Sequence, residues 1–202
     1  MFRHAAALAC LSLVAAPALA DTVTINFESD ASGFVANGFQ SADSNLVSFS
    51  DSMDADLQIL DFGHHSNGKG LAVFGDDPSY LIMEFSTTVS SLSLSFGNDD
   101  PNFASAGDLA RLQVFDGMTF VGEVFVEMNR DDIMNQTIAA AGFGAFNRAT
   151  FAYVNPLGEL INLIECVDDI TFETTGVAVP LPTAGTLGLA GLVGIMSRRR
   201  RA

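Results

Sequence analysis

Ser91-Leu92-Ser93-Leu94-Ser95-Phe96 alternates serine with a large apolar residue through three periods. A period of two belongs to an extended strand with one buried and one wet face, because a helix would scatter these apolar residues around its axis. Val23, Ile25 and Phe27 repeat the pattern near the start, against Thr24, Asn26 and Glu28. Working outward, strands are predicted over 46–50, 57–62, 70–74, 80–85, 111–115, 119–127, 149–154, 160–167 and 170–174. Asp116-Gly117 marks a tight hairpin, since glycine tolerates positive φ, and Asn155-Pro156-Leu157-Gly158 marks a turn. One short helix is expected over 131–141. Strands so spaced, without helical segments between them, predict an all-β, antiparallel β-sandwich. The jelly-roll form is favoured, because the first and last strands both carry acids and can lie side by side.

The charge is unevenly spread along the 202 residues. The chain has 24 acidic residues and nine Lys plus Arg. All the acids fall between Asp21 and Glu173, where only Lys69, Arg111, Arg130 and Arg148 oppose them. Such a body is unsuited to nucleic acid, whose phosphates call for clustered cations. A body of this length can bury a sizeable core, and the 17 Phe are expected to fill it. With no Trp and two Tyr, the sequence offers little for stacking sugar rings.

Both ends read as addresses. Residues 1–20 form a secretory signal peptide: Arg3 and His4, an apolar run, then Ala18-Leu19-Ala20 as a small-x-small cleavage site. Residues 21–178 are the acidic β-sandwich domain. Residues 179–202 hold Val179-Pro180-Leu181-Pro182, an uncharged span to Met196, and Arg198, Arg199, Arg200 and Arg201. As a helix the span would reach roughly 24 Å, somewhat short of the ~30 Å hydrocarbon core. It is therefore expected to be a short transmembrane helix, with snorkelling arginines covering the deficit and holding that end in the cytoplasm. Cleavage after Ala20 removes Cys10 and leaves Cys166, expected to be a small buried strand residue.

The tail resembles the PEP-CTERM class of bacterial sorting signals, in the variant whose motif reads Val-Pro-Leu-Pro-Ala. Val179, Pro180, Leu181 and Pro182 match it, and Thr183 departs from the final Ala. The resemblance implies export and an inner-membrane-anchored precursor, processed by an exosortase-type membrane enzyme. It further implies display at the cell surface or in the extracellular polysaccharide matrix of a Gram-negative bacterium. The body resembles jelly-roll carbohydrate-binding and galactose-binding-like modules, on Asn26-Phe27-Glu28 and Asp168-Asp169-Ile170-Thr171-Phe172.

The acids point to structural Ca²⁺, which takes six to eight oxygen ligands. Neighbouring carboxylates repel unless a cation or a proton intervenes. The preferred site uses Glu28, Asp168 and Asp169, tying the terminal strands together; the second choice is Asp99 and Asp100. Solvated turn-forming aspartate is the competing reading. Asp51, Asp54, Asp56 and Asp61 do not make an EF-hand, because the central glycine and the final glutamate are missing. His64 and His65 point opposite ways on an extended chain.

No Gly-x-Ser-x-Gly, His-Glu-x-x-His or phosphate-cradling loop is present. The sequence therefore reads as a non-catalytic, exported surface or matrix protein. Its alternatives are a calcium-dependent carbohydrate-binding module and a glycoside-active hydrolase, which needs two spaced carboxylates.

Overall fold

A computed structural model describes residues 20–63, 68–75, 77–97 and 100–176. The signal segment through Leu19, the motif at Val179 to Pro182, the expected transmembrane helix and the terminal arginines lie outside these residues, as do His64, His65 and Asp99. Among the described residues no helix is long and apolar enough to cross a membrane.

Ten strands form the body: β1 (Thr22–Ile25), β2 (Gly33–Phe34), β3 (Val47–Asp51), β4 (Leu57–Asp61), β5 (Lys69–Val73), β6 (Leu81–Gly97), β7 (Leu109–Asp116), β8 (Thr119–Glu127), β9 (Gln136–Val154) and β10 (Glu165–Thr174). Their order is β2-β4-β5-β10-β6-β9-β7-β8, with β1 on β10 and β3 on β6. All the pairings are antiparallel. The expected neighbourhood of first and last strands is present, as Thr22 faces Glu173 and Ile25 faces Ile170.

β6 and β9, with 17 and 19 residues, are far longer than ordinary strands. Their mutual register shifts between Glu84 and Val89, and again before Ser91. Gly142 and Gly144 take φ of 80° and 90° in the matching part of β9. The two strands thereby pass from one layer of the sandwich to the other. Residues 81–85 of β6 pair with β3 and the later half of β9, while residues 89–97 pair with β10 and its earlier half. β7 and β8 extend the first layer; β1, β5, β4 and β2 extend the second.

Alternation then fills the space between layers. Leu92, Leu94 and Phe96 are buried, and so are Ile25, Ile59, Leu71, Leu112 and Phe172. Rings from the two layers meet edge-on or tilted: Phe85 and Phe172 at 5.0 Å, Phe27 and Phe49 at 5.6 Å, Phe96 and Phe151 at 5.8 Å. A fully buried side chain of this size contributes about 2–3 kcal/mol. Cys166 is buried as expected, and burial pushes its thiol pKa upward, so it is unreactive.

Two expectations fail. Residues 131–141 are not a helix: bends are followed by β9 from Gln136, whose Ile138 and Ala140 are buried opposite Leu94 and Leu92. Three consecutive alanines, 139–141, favour a helix, but pairing along β6 outweighs that propensity. Nor do the phenylalanines all enter the core: Phe34, Phe74, Phe103, Phe120 and Phe125 are exposed.

Candidate functional site

The outer face of the first layer carries a groove of about 350 Å³ lined by Tyr80, Arg111, Gln113, Phe115, Arg148 and Thr150. Register explains its make-up. Ala110, Leu112 and Val114 of β7 point into the core, so Arg111, Gln113 and Phe115 point out. Gln113 faces Thr150, and Phe115 faces Arg148 across the β7–β9 ladder. A second hollow of about 290 Å³ shares Arg148 and adds Glu84, Met118 and Asn147.

The groove holds two of the body's four cations. The other two are clasps. The Lys69 ammonium donates to the main-chain oxygens of Glu28 at 3.0 Å and Asp30 at 2.7 Å. Arg130 donates to those of Ala104 and Pro101, both at 3.0 Å. Arg111 is steadied by the Gly158 carbonyl at 3.2 Å, at the turn expected around Asn155. The Arg148 guanidinium lies 5.4 Å from the centre of the Phe115 ring, a cation–π arrangement. Its Nε is buried and has no acceptor among the described residues. Gln113 donates to Glu123 at 3.0 Å. Phe125 stands opposite Arg111, and the ring of Phe120 lies 5.8 Å from that of Phe115. The absence of Trp and the scarcity of Tyr concealed this face, because most of its rings are phenylalanines, which burial statistics assign to the core.

The expected calcium residues are distributed differently. Glu28 follows β1 and accepts the main-chain N–H of Lys69 at 2.7 Å. Gly68 leaves room for it, since a Cβ there would sit 1.9 Å from Glu28 Oε1. Asp168 is 5% exposed, on a stretch of β10 where the register against β6 shifts. Burial lifts its carboxyl to about 7, against the Asp169 N–H that it accepts at 2.7 Å; the charges of Asp169 and Glu28 add to the lift. Asp169 has φ of 47° and Phe27 of 58°, both strained for residues with a side chain. Asp100 spends Oδ1 on the main chain and side chain of Asn102, both at 2.8 Å, which is a turn-forming role. Among the described residues no three Asp, Glu, His or Cys side chains are already gathered closely enough to hold a metal ion.

No protein-family profile matches the chain, and no curated protein matches it. Solved structures do. The chain is similar to a DUF4465 family protein from Bacteroides caccae, with 13% identity over 75% of this chain and 98% of that one, at a TM-score of 0.47. It is also similar to the CBM22-1 and GH10 modules of endo-1,4-β-D-xylanase 10B from Clostridium thermocellum, complexed with xylohexaose. That likeness has 14% identity, covers 78% of this chain and 29% of the longer one, and scores 0.41. A family 32 carbohydrate-binding module from C. perfringens, in complex with galactose, is 10% identical over 76% of this chain and 99% of that one, at 0.35. At these identities and scores the likenesses are of chain path only.

Proposed function

We propose that this chain is an exported, non-catalytic β-sandwich of the jelly-roll type that binds extracellular polysaccharide through the groove on its first layer. The observation that carries the reading is the groove's chemistry. The Phe115 ring, with Phe120 beside it and Phe125 opposite Arg111, offers an apolar surface to the C–H face of a sugar. Arg111, Arg148, Tyr80, Gln113 and Thr150 surround it with donors and acceptors for hydroxyls. A shallow concave site of this mixture suits a soluble glycan chain.

The address supports the same reading. The signal ending at Ala20 would export the body. Val179 to Pro182 and the arginines 198–201 would anchor it in the inner membrane until an exosortase-type enzyme releases it to the surface or matrix. Mass spectrometry of surface material should find a form without Arg198 to Arg201; an intact C-terminus in every fraction would overturn the processing step.

Affinity electrophoresis of the purified protein through gels containing neutral or acidic polysaccharides tests the binding. Retardation is expected with at least one glycan, and Phe115→Ala and Arg148→Ala should each weaken it about tenfold. Free migration in all gels, or retardation indifferent to both substitutions, removes the groove from the account.

A further inference from the structure

Asp51 ends β3, Ser79 lies just before β6, and Glu165 opens β10. All three are nearly sealed from solvent, at 5%, 1% and 1% exposure. Their register turns them inward together. Asp51 faces Leu81 across the ladder, and Ser79 is two residues before Leu81, hence on the same side. Glu165 faces Val73, which faces Leu57, both core residues. Strands from both layers therefore bring oxygens to one end of the interior.

These oxygens lack donors. Asp51 Oδ2, Asp56 Oδ1, Ser79 Oγ and Glu165 Oε2 are four of the six buried side-chain polar atoms that have no hydrogen-bond partner among the described residues. Ser79 is the telling one, because a hydroxyl can donate or accept and here does neither. Asp56 Oδ2 and Asp77 Oδ2 converge on the backbone of Gly75, each 2.9 Å from where a Cβ would stand. Burial raises the carboxyl pKa values of Asp56 and Glu165, and the charges of Asp51 and Asp77 add to the rise in both. Lys69, Arg111 and Arg130 donate instead to main-chain carbonyls elsewhere. Buried acceptors without donors are rare in folded proteins, and each calls for a partner such as a water or an ion.

We infer that Asp51, Asp56, Asp77 and Glu165, with the Ser79 hydroxyl, bind a divalent cation, Ca²⁺ above all. Only oxygens are offered, from side chains of unequal reach, which suits the large and tolerant coordination of Ca²⁺ better than the strict octahedron of Mg²⁺. Without the ion, repulsion keeps the carboxylates from closing on a single point. The ion draws them in and staples β3, β6 and β10 across the two layers. This site is separate from the Glu28 and Asp168 region.

Thermal unfolding of the full chain in chelator and in millimolar CaCl₂ tests the inference. Calcium should raise the wild-type Tm by about 5 °C. Glu165→Gln should abolish the rise, and Asp168→Asn should keep it. Terbium emission sensitised by Tyr153, whose main-chain N–H donates to Glu165, gives a second reading on unsubstituted protein. Calcium should quench that emission by displacement. The inference is overturned if wild type shows no Tm rise with calcium, or if the rise survives Glu165→Gln.

Discussion

Around Glu28, acids have found donors within the chain. Glu28 takes the Lys69 N–H, Asp30 takes Ser41 Oγ and the Ala42 N–H, and Asp43 takes the N–H groups of Asn26 and Phe27. The Lys69 ammonium closes the region on two main-chain oxygens. Around Glu165, two carboxyls and a hydroxyl are buried and two carboxyls are half-buried, yet several oxygens face no donor among the described residues. Both regions are acidic, and both join the two layers or the terminal strands. The difference is positive charge: the Lys69 ammonium supplies it in one region, whereas in the other Asp51 Oδ2, Asp56 Oδ1 and Glu165 Oε2 have no hydrogen-bond partner among the described residues. Acid content alone therefore says little about metal binding; the accounting of each oxygen says more.

The largest effect that would break this contrast is loss of the internal cation. Lys69→Met should destabilise the fold by about 2 kcal/mol, because two charge-assisted bonds vanish and the Asp30 carbonyl stays partly buried. Urea unfolding in chelator measures it, and a change below about 0.5 kcal/mol would make Lys69 an ordinary surface residue.

Next in size is the proton held by Asp168. Its folded pKa of about 7 lies above the ordinary carboxyl value. Stability from this group is thus fully present below pH 4 and is lost as pH rises from about 4 to about 7. Asp168→Asn should remove that fall and stabilise the protein at pH 8 by about 1–2 kcal/mol, allowing for solvent screening. A melting profile over pH that keeps its slope in the variant would assign the titration elsewhere.

A third acidic turn extends the comparison. Asp100→Ala deletes the acceptor for the Asn102 N–H and should cost about 1 kcal/mol, with no change in any calcium response. A calcium response lost with this substitution would move a metal to that turn. Smallest is Thr24→Val, which removes a 3.0 Å hydroxyl pair with Thr171 on the exposed side of β1. A shift within about 0.5 kcal/mol is expected, and more would mean that β1 is held chiefly by side chains.

The strands were legible wherever apolar residues alternate, because the pleat imposes its period on anything half-buried. What stayed hidden has long-range causes. The passage of β6 and β9 between layers depends on mutual register, and no local pattern marks it apart from Gly142 and Gly144. The segment 131–141 was misread because alanine speaks of propensity, while Ser91 to Phe96 supply the pairing. The groove draws on β7, β9 and Tyr80 just before β6, and most of the rings on its face are phenylalanines. The run Asp51, Asp54, Asp56, Asp61 lacks the central glycine and final glutamate of an EF-hand, and no local pattern links it to Asp77 or Glu165, far along the chain. Glu165 did leave a trace: it is a charge inside the apolar run Leu163-Ile164-Glu165-Cys166-Val167.

β10 carries the described chain out towards its C-terminus, and it is not an edge strand. It is flanked by β1 and β5 on one side and by β6 on the other. Tension applied at Thr174 along the strand would load two ladders in shear, so many hydrogen bonds would have to fail together rather than peel one by one. A pull through this end therefore has its traction point on a strand paired along both edges.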